Sequence, residues 1–208
     1  MNTIDKLTEY FTKFPGIGSR QAKRLVYFIL AQGGDFSSEL STLLARVRED
    51  ITQCDDCFRF YHSLSTTEGT LCNICMDTQR EGHILMVVEK DADLEVMQRA
   101  DSYRGKFFIL GGSLPLLEKQ PNQKIRAKGL YERVHRDLES GTLTEVILAL
   151  SAHPEGDHTA LYIKQLLNPF VENHGLVITV LGRGLSTGTE LEYSDLDTLH
   201  HALKNRGV

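Results

Sequence analysis

The first 53 residues carry apolar side chains at helical spacing. Ile4, Leu7 and Phe11 recur every three or four positions, and the sequence Pro-Gly-Ile-Gly at residues 15–18 then interrupts the pattern. A second apolar face follows over residues 22–29. Side chains spaced in this way share one side of an α-helix. We therefore predict two helices that are joined by a short hairpin.

A third helix is predicted over about residues 38–50. Gln32-Gly33-Gly34 ends the second helix, because glycine is a strong stop signal after a helical run. The inward face of the third helix is predicted to consist of the apolar residues at helical spacing, which are Leu40, Leu43, Leu44 and Val47. The segment that follows, residues 54–80, shows little periodicity.

The pattern changes at about residue 83, where short continuous apolar runs begin. Residues 84–88 read Ile-Leu-Met-Val-Val, which is typical of a strand buried on both faces. Further strands are predicted over residues 106–110, 145–150 and 177–181. They alternate with helices that are predicted over about residues 93–100, 126–139, 159–168 and 195–204. This alternation indicates an α/β domain with a mainly parallel sheet.

The overall composition is that of an ordinary globular protein. The 208 residues are 41% hydrophobic and 25% charged, with a formal net charge of -5. No apolar run approaches the ~20 residues that a membrane helix needs, and the first residues do not resemble a secretory signal. We therefore expect a cytoplasmic protein without a membrane segment. Because the chain is acidic, any surface that binds nucleic acid must be a local patch.

All four cysteines lie in two Cys-x-x-Cys pairs, Cys54 with Cys57 and Cys72 with Cys75. Four thiolates at this spacing bind Zn²⁺ tetrahedrally and leave no open coordination position, so the predicted role is structural. The alternatives are an iron–sulfur cluster, a redox pair or unrelated buried cysteines. The zinc interpretation predicts one ion per chain and a strong loss of stability when Cys72 is replaced by serine.

The hairpin between the first two helices is a candidate DNA-binding element. Gly16 and Gly18 let the backbone approach a phosphate next to a helix amino end. Arg20, Lys23 and Arg24 follow on or near one face of the second helix, where they suit contact with further phosphates without reading sequence. The alternative is a plain helical hairpin with a solvated basic face.

Acidic residues follow two of the predicted strands. Glu89 comes directly after the strand at 84–88, and Glu155 and Asp157 follow the strand at 145–150. Ligand sites of α/β sheets gather at the carboxyl ends of strands, so these side chains are candidates for a Mg²⁺ site. The alternatives are an acidic rim that binds no metal and a contact surface for a partner. No companion nucleophile is evident, which favours a role other than catalysis.

These motifs, in this order, resemble the RecR family of recombination mediators over essentially the whole chain. The resemblance begins with the hairpin and the four-cysteine segment. In the second half it rests on Val87-Val88-Glu89 with Asp93, Tyr103-Arg104-Gly105 with Leu110-Gly111-Gly112, Glu155-Gly156-Asp157 with Thr159-Ala160, and Arg183-Gly184-Leu185 with Glu190-Leu191-Glu192-Tyr193 and Asp195.

The resemblance implies an α+β protein of four parts. These are a helix-hairpin-helix region for DNA binding and oligomerisation (1–53), a four-cysteine zinc finger (54–80), a Toprim domain (81–170), and a C-terminal segment that completes the α/β region and makes oligomer contacts (171–208). It also implies a homodimer or a ring-shaped homotetramer. The expected function is non-catalytic: binding DNA and acting with RecO, and in some bacteria RecF, to load RecA onto single-stranded DNA.

Three segments depart from the usual family pattern. Residues 151–154 read Ser-Ala-His-Pro where an Asn-Pro-Thr type of stretch is usual, Asp157 stands where glutamate is usual, and Ser113-Leu114-Pro115 replaces a Ser-Pro pair with a Gly-rich turn. Two rival functions stay open at this stage. One is a Mg²⁺-dependent Toprim nuclease or primase-like enzyme, and the other is a zinc-and-hairpin DNA-binding module without a mediator role.

Overall fold

A computed structural model describes residues 1–62, 70–118, 120–185, 187–188 and 190–206. Residues 63–69 of the predicted zinc finger lie outside this described part. The internal contacts divide the described residues into two compact units. The first unit comprises residues 1–52 with His62, and the second comprises residues 53–61 together with the described residues from 70 onward.

The first unit is made of three helices, α1 (Thr3–Thr12), α2 (Ser19–Gln32) and α3 (Gly34–Asp50). The Asn2 side chain accepts a hydrogen bond from the Asp5 N–H at 2.9 Å and so caps the amino end of α1. Gly33, at φ 85°, lies between α2 and α3. The third helix therefore begins four residues earlier than the predicted Ser38, because one glycine in the left-handed region is enough to separate the two helices.

The prediction that Leu43, Leu44 and Val47 of α3 face inward is wrong for this chain, whereas Leu40 is half-buried. Leu43, Leu44 and Val47 are 54%, 64% and 54% exposed. Among the described residues of the first unit, only Ala22 and Val26 of α2 are buried. Much of the apolar surface of the three helices therefore faces outward in this chain.

The second unit contains a four-stranded parallel sheet. This confirms the predicted parallel α/β sheet. In the central pairings, Val88 lies opposite both Ile109 and Ala149. Two short strands, β1 (Ile51–Gln53) and β2 (Phe60–His62), and a short helix, α4 (Asn73–Met76), precede the sheet in the sequence. The sheet strands are β3 (Glu81–Val88), β4 (Gly105–Ile109), β5 (Glu145–Ala149) and β6 (Val177–Val180). Their order across the sheet is β4-β3-β5-β6.

Helices connect the strands and cover the sheet. They are α5 (Asp91–Arg99), α6 (Pro121–Lys124), α7 (Ala127–Glu139), α8 (Pro154–His174) and α9 (Leu196–Lys204), with a 3-10 turn at Leu191–Tyr193 before α9. One face of the sheet packs against α7 and α8, and Leu85, Phe108, Leu130 and Ile163 belong to that core. The opposite face packs against Leu94 of α5 and against the cysteine segment.

The helix α8 is longer at both ends than the predicted 159–168. The His153 ring accepts a hydrogen bond from the Gly156 N–H at 3.2 Å, which caps the helix at its amino end. Gly175, in the left-handed conformation at φ 68°, ends the helix, although Pro169 lies inside it. None of the helices in the described stretches combines the length and apolar character that a membrane span requires.

Candidate metal centre and nucleic-acid interface

The four cysteines come together at one point of the second unit. Their sulfur atoms all lie within 4.8 Å of one another, and among the described residues no other group of metal-binding side chains gathers in this way. All four are free thiols, and Cys75 alone is partly exposed. The distance between the Cys57 and Cys72 sulfurs is 3.6 Å. The arrangement has the number, type and spacing of ligands for one tetrahedral metal ion.

Local backbone turns bring the sulfurs together. In the first Cys-x-x-Cys pair, the Phe58 N–H donates to the Cys54 carbonyl at 2.9 Å, and Phe58 adopts a left-handed φ of 62°. The second pair begins at the amino end of α4, where the Met76 N–H donates to the Cys72 carbonyl at 3.0 Å. The Cys72 N–H also donates to the Cys54 sulfur at 3.3 Å, which joins the two pairs.

Hydrogen bonds among the sulfurs shift the pKa values of two of the thiols in opposite directions. The hydrogen bond with Cys57 lowers the pKa of the Cys54 thiol, and the same contact raises the pKa of the Cys57 thiol. Cysteine binds a metal ion as the deprotonated thiolate. The cluster is therefore a closed, all-sulfur site that suits a soft or borderline metal and leaves no ligand position for a substrate.

The cysteine segment packs on the edge strand of the parallel sheet. The Ile109 N–H of β4 donates to the Cys57 carbonyl at 2.8 Å. The Phe58 ring contacts the Phe108 ring edge to face, with centroids 5.4 Å apart. At Gly129 of α7 an added Cβ would lie 3.1 Å from the Phe58 ring, so glycine allows this close approach. The segment thus covers an edge of the sheet that is otherwise open to pairing.

The hairpin before α2 is a tight turn, and its residue types suit the backbone conformation that the turn requires. The Ile17 N–H donates to the Phe14 carbonyl at 3.1 Å, with Pro15 and Gly16 between them. Gly16 has a φ of 75°, as the third residue of a type II turn requires. Gly18 is the N-cap of α2, and no side chain caps this described helix end. The free N–H groups of the first turn are therefore available to an anion.

The three basic residues of α2 are all exposed. Arg20, Lys23 and Arg24 lie within one broad arc of the helix, because residues three and four positions apart are neighbours on a helix surface. None of the ion pairs found in the described part of the chain involves any of them. The geometry presents three cations beside the uncapped amino end of α2.

The acidic residues of the family motifs each have a separate partner in the structure; they are Glu89, Asp93, Glu155 and Asp157. Glu89 is only 3% exposed, and its carboxylate accepts a hydrogen bond from the Ser151 N–H at 2.8 Å. Asp93 accepts from the Lys90 N–H at 2.9 Å and so caps α5. The Ser113 hydroxyl lies 3.5 Å from a Glu155 oxygen. The carboxylates therefore stabilise loops and helix ends at the carboxyl edge of the sheet.

Asp157 forms an ion pair with Arg183. Both guanidinium NH₂ nitrogens of Arg183 donate to the Asp157 carboxylate, one of them at 3.2 Å. These hydrogen bonds lower the pKa of Asp157 below its ordinary value. Asn205, the residue that follows α9, donates to the Arg183 backbone carbonyl at 2.9 Å, which joins the carboxyl end of α9 to the loop after β6.

Close packing requires glycine at two positions of the family motifs. These are Gly156 of Glu155-Gly156-Asp157 and Gly105 of Tyr103-Arg104-Gly105. A Cβ at Gly156 would lie 2.0 Å from the Ser151 carbonyl oxygen, and a Cβ at Gly105 would lie 2.2 Å from the Tyr103 hydroxyl. That hydroxyl donates to the Lys106 carbonyl at 2.7 Å and is 3.1 Å from the Ile84 carbonyl. The motifs thus join the middle of β3 to the start of β4 and allow close packing at the start of α8.

Two further residues, Lys106 of β4 and Arg133 of α7, contact the cysteine segment and were not predicted from the sequence. The sequence pattern could have singled out Arg133 as a buried charge that needs a partner. It lies among Ala127, Leu130 and Val134 on the buried side of α7, where an unpaired charge would be costly. Lys106 lies near the start of an apolar strand and gave no such signal.

The family comparisons agree with this architecture. Residues 83–182 match the model described as Toprim domain, and residues 184–206 match the model described as RecR, C-terminal. The chain is therefore a Toprim-domain protein that carries a four-cysteine centre on the edge of its sheet.

Relatives cover almost the entire chain. The recombination protein RecR of Myxococcus xanthus is 36% identical over 203 residues, which are 98% of this chain and 96% of the relative. The protein of the same name from Bdellovibrio bacteriovorus is 32% identical over 209 residues, covering 99% and 97%. That from Dehalococcoides mccartyi is 34% identical over 203 residues, covering 98% and 93%. The chain belongs to the RecR family of recombination proteins.

Proposed function

We propose that this protein is a non-catalytic, DNA-binding recombination mediator that acts with RecO, and in some settings RecF, to load RecA onto single-stranded DNA. The observation that carries the proposal is the exposed basic set Arg20, Lys23 and Arg24 beside the hairpin glycines Gly16 and Gly18. We place this activity in the cytoplasm, where thiols stay reduced. The direct test measures the loading of RecA onto single-stranded DNA that is coated with single-strand-binding protein.

The four-cysteine cluster supports one structural Zn²⁺ per chain. Zinc binds four thiolates tetrahedrally without redox chemistry, and the sulfurs already lie within 4.8 Å of one another. The ion would tie together a segment that has few apolar side chains of its own. Its chemistry is to crosslink Cys54, Cys57, Cys72 and Cys75, which keeps the segment folded on β4.

DNA binding is expected to be sequence-independent and to weaken steeply with salt. Replacing Lys23 and Arg24 together with alanine removes two exposed cations. The log–log slope of affinity against salt should therefore fall by about 0.7–0.9 for each phosphate that the protein no longer neutralises. The measurement is a titration of labelled DNA at several salt concentrations, by fluorescence anisotropy.

The matched control for this experiment is the double variant Arg46→Ala with Arg48→Ala. It removes the same charge from exposed positions of the neighbouring helix α3. If the control lowers affinity and slope as much as the α2 variant does, the effect is one of net charge. If the α2 variant binds as the wild type does, with fold and mass intact, DNA contact lies elsewhere.

The exposed apolar surface of the helical unit supports self-association. The first 53 residues expose large apolar side chains at Tyr10, Phe14, Leu25, Tyr27, Phe28, Leu30, Phe36, Leu43, Leu44 and Val47. An apolar surface of this extent is typical of an interface. A homodimer or a ring-shaped homotetramer covers it, and a ring also lets several weak DNA contacts add through avidity.

Light scattering should therefore report two or four times the chain mass of 23.4 kDa at micromolar concentration. Leu44→Glu, which puts a charge into the exposed face of α3, should lower that mass. Leu117→Glu is the matched control, since Leu117 is 92% exposed outside the helical unit. A mass of 23.4 kDa for the wild type would contradict the proposal.

The carboxylates support structure or partner contact in this proposal. The Glu89 carboxylate accepts a hydrogen bond from the Ser151 N–H, and the Asp157 carboxylate forms an ion pair with Arg183. We expect no DNA cleavage and no nucleotide incorporation with Mg²⁺ or Mn²⁺. The measurement uses labelled single- and double-stranded DNA with the wild type and with Glu89→Ala. Cleavage that disappears in Glu89→Ala would establish the rival Toprim nuclease.

A further inference from the structure

Two cations from the α/β domain reach the cysteine segment, one at each Cys-x-x-Cys pair. Arg133 of α7 contacts the first pair, and Lys106 of β4 contacts the second. Neither residue is a metal ligand, and all the residues involved lie in the second unit. Their positions bear on how the segment holds its metal.

Arg133 contacts the turn between Cys54 and Cys57 through Asp56. Its side chain is 7% exposed, and its Nη1 lies 2.6 Å from an Asp56 carboxylate oxygen. The same nitrogen donates to the Asp56 backbone carbonyl at 3.2 Å. Its Nε donates to Asp137 at 2.5 Å, which fixes the guanidinium on α7. A rigid fork of donors thus holds both the side chain and the backbone of this turn.

Carboxylates keep Arg133 charged despite its burial. Burial alone would lower the pKa of the guanidinium, but the neighbouring Asp137 and Asp56 carboxylates outweigh that effect and raise the pKa above its ordinary value. Removing the guanidinium would leave two partly buried carboxylates beside the metal site with Arg136 as their remaining cation.

Lys106 donates hydrogen bonds to the backbone of the second Cys-x-x-Cys pair and of the residues around it. Its ammonium donates to the carbonyls of Ile74, Cys75 and Asp77 at 3.0, 3.1 and 2.6 Å. These are carbonyls of α4 and of the residue that ends it. None of the ion pairs of the described residues includes Lys106, so no carboxylate pairs with its ammonium there. A Zn²⁺ ion with four thiolates carries a net charge of -2 by simple addition, which a nearby ammonium stabilises.

We propose that Arg133 and Lys106 are the positioning residues of the metal centre: each holds one Cys-x-x-Cys pair in ligand geometry, and together they set how tightly the protein retains zinc. The inference rests on the proposed zinc occupancy. Groups outside the ligand set that orient the ligands typically change metal affinity by 10–100-fold when they are removed. The finger and the Toprim domain then act as one metal-dependent unit.

The test is competition for zinc between the folded protein and a coloured chelator. Arg133→Met and Lys106→Met keep much of the side-chain volume and remove the donors. Each is expected to weaken zinc affinity by about 10–100-fold. The partly exposed Cys75 should also react faster with an alkylating reagent in both zinc-loaded variants. Lys128→Met is the matched control on α7, since its side chain is 82% exposed, and its affinity should stay within about twofold of the wild type.

If the methionine variants fold poorly, a conservative variant of Arg133 provides a second test of zinc affinity. Arg133→Lys retains the charge but not the fork that reaches both Asp56 and Asp137, and it should show an intermediate loss of zinc affinity. A merely structural role would lower the melting temperature of the zinc-loaded and zinc-free proteins alike and leave the competition unchanged. Folded variants with wild-type zinc affinity would overturn this inference alone, whereas a wild type that contains no zinc would overturn the zinc proposal as well.

Discussion

Replacing Cys72 with serine is expected to remove zinc from the protein and to destabilise the second unit strongly. Cys72 is fully buried, and its N–H and sulfur join the two Cys-x-x-Cys pairs. Structural zinc in small fingers contributes on the order of 10 kcal/mol of apparent binding energy. Removing one of four ligands forfeits much of it, so the melting temperature should fall by roughly 10 °C or more.

The measurement pairs metal analysis of gently purified protein with thermal unfolding. Asn73→Ser is the control, because it places the same new side chain at the next position, which is exposed and outside the sulfur cluster. The control should bind zinc fully and change stability by no more than about 0.5 kcal/mol. A Cys72→Ser protein that retains stoichiometric zinc and wild-type stability would contradict the assignment of the centre.

Replacing Gly156 with alanine is expected to have the second large effect. The added Cβ would lie 2.0 Å from the Ser151 carbonyl oxygen, a distance at which backbone must move. Ser151 is also the residue whose N–H donates to the buried Glu89 carboxylate. The clash therefore displaces both the amino end of α8 and the loop after β5. We expect a loss of about 3 kcal/mol, at the upper end of ordinary overpacking, with a corresponding fall in melting temperature.

Gly182→Ala is the matched control for this substitution. Gly182 follows β6 at the same edge of the sheet, and an added Cβ there meets no atom within 4 Å. Thermal unfolding should leave Gly182→Ala close to the wild type while Gly156→Ala unfolds at a lower temperature. Equal stability of the two variants would show that the loop at residues 151–153 moves freely, against the packing described here.

The sequence predicted the sheet and the cysteine cluster because each has a strong local signal. A run such as Ile84 to Val88 is too short and too apolar for an exposed element, and it became the central strand β3. Paired cysteines at fixed spacing have few arrangements open to them. The family motifs are explained in part by the close approaches at Gly105 and Gly156.

The partners of charged side chains could not be predicted, because they depend on tertiary contacts between distant residues. Nothing near Asp56 in the sequence points to Arg133, 77 residues away, and nothing near Asp157 points to Arg183. The outward position of Leu43, Leu44 and Val47 was missed for a related reason. Helical periodicity identifies an apolar face, but it does not reveal whether the same chain or another covers it.

The most direct test of the proposed function measures RecA filament formation on single-stranded DNA that is coated with single-strand-binding protein. RecA's DNA-dependent ATP hydrolysis reports filament growth with RecO alone, with this protein alone, and with both. We predict that both together shorten the lag markedly, and that the variant with Lys23→Ala and Arg24→Ala does so much less. A lag that is the same with and without this protein, when the protein is folded and loaded with zinc, would contradict the proposed function.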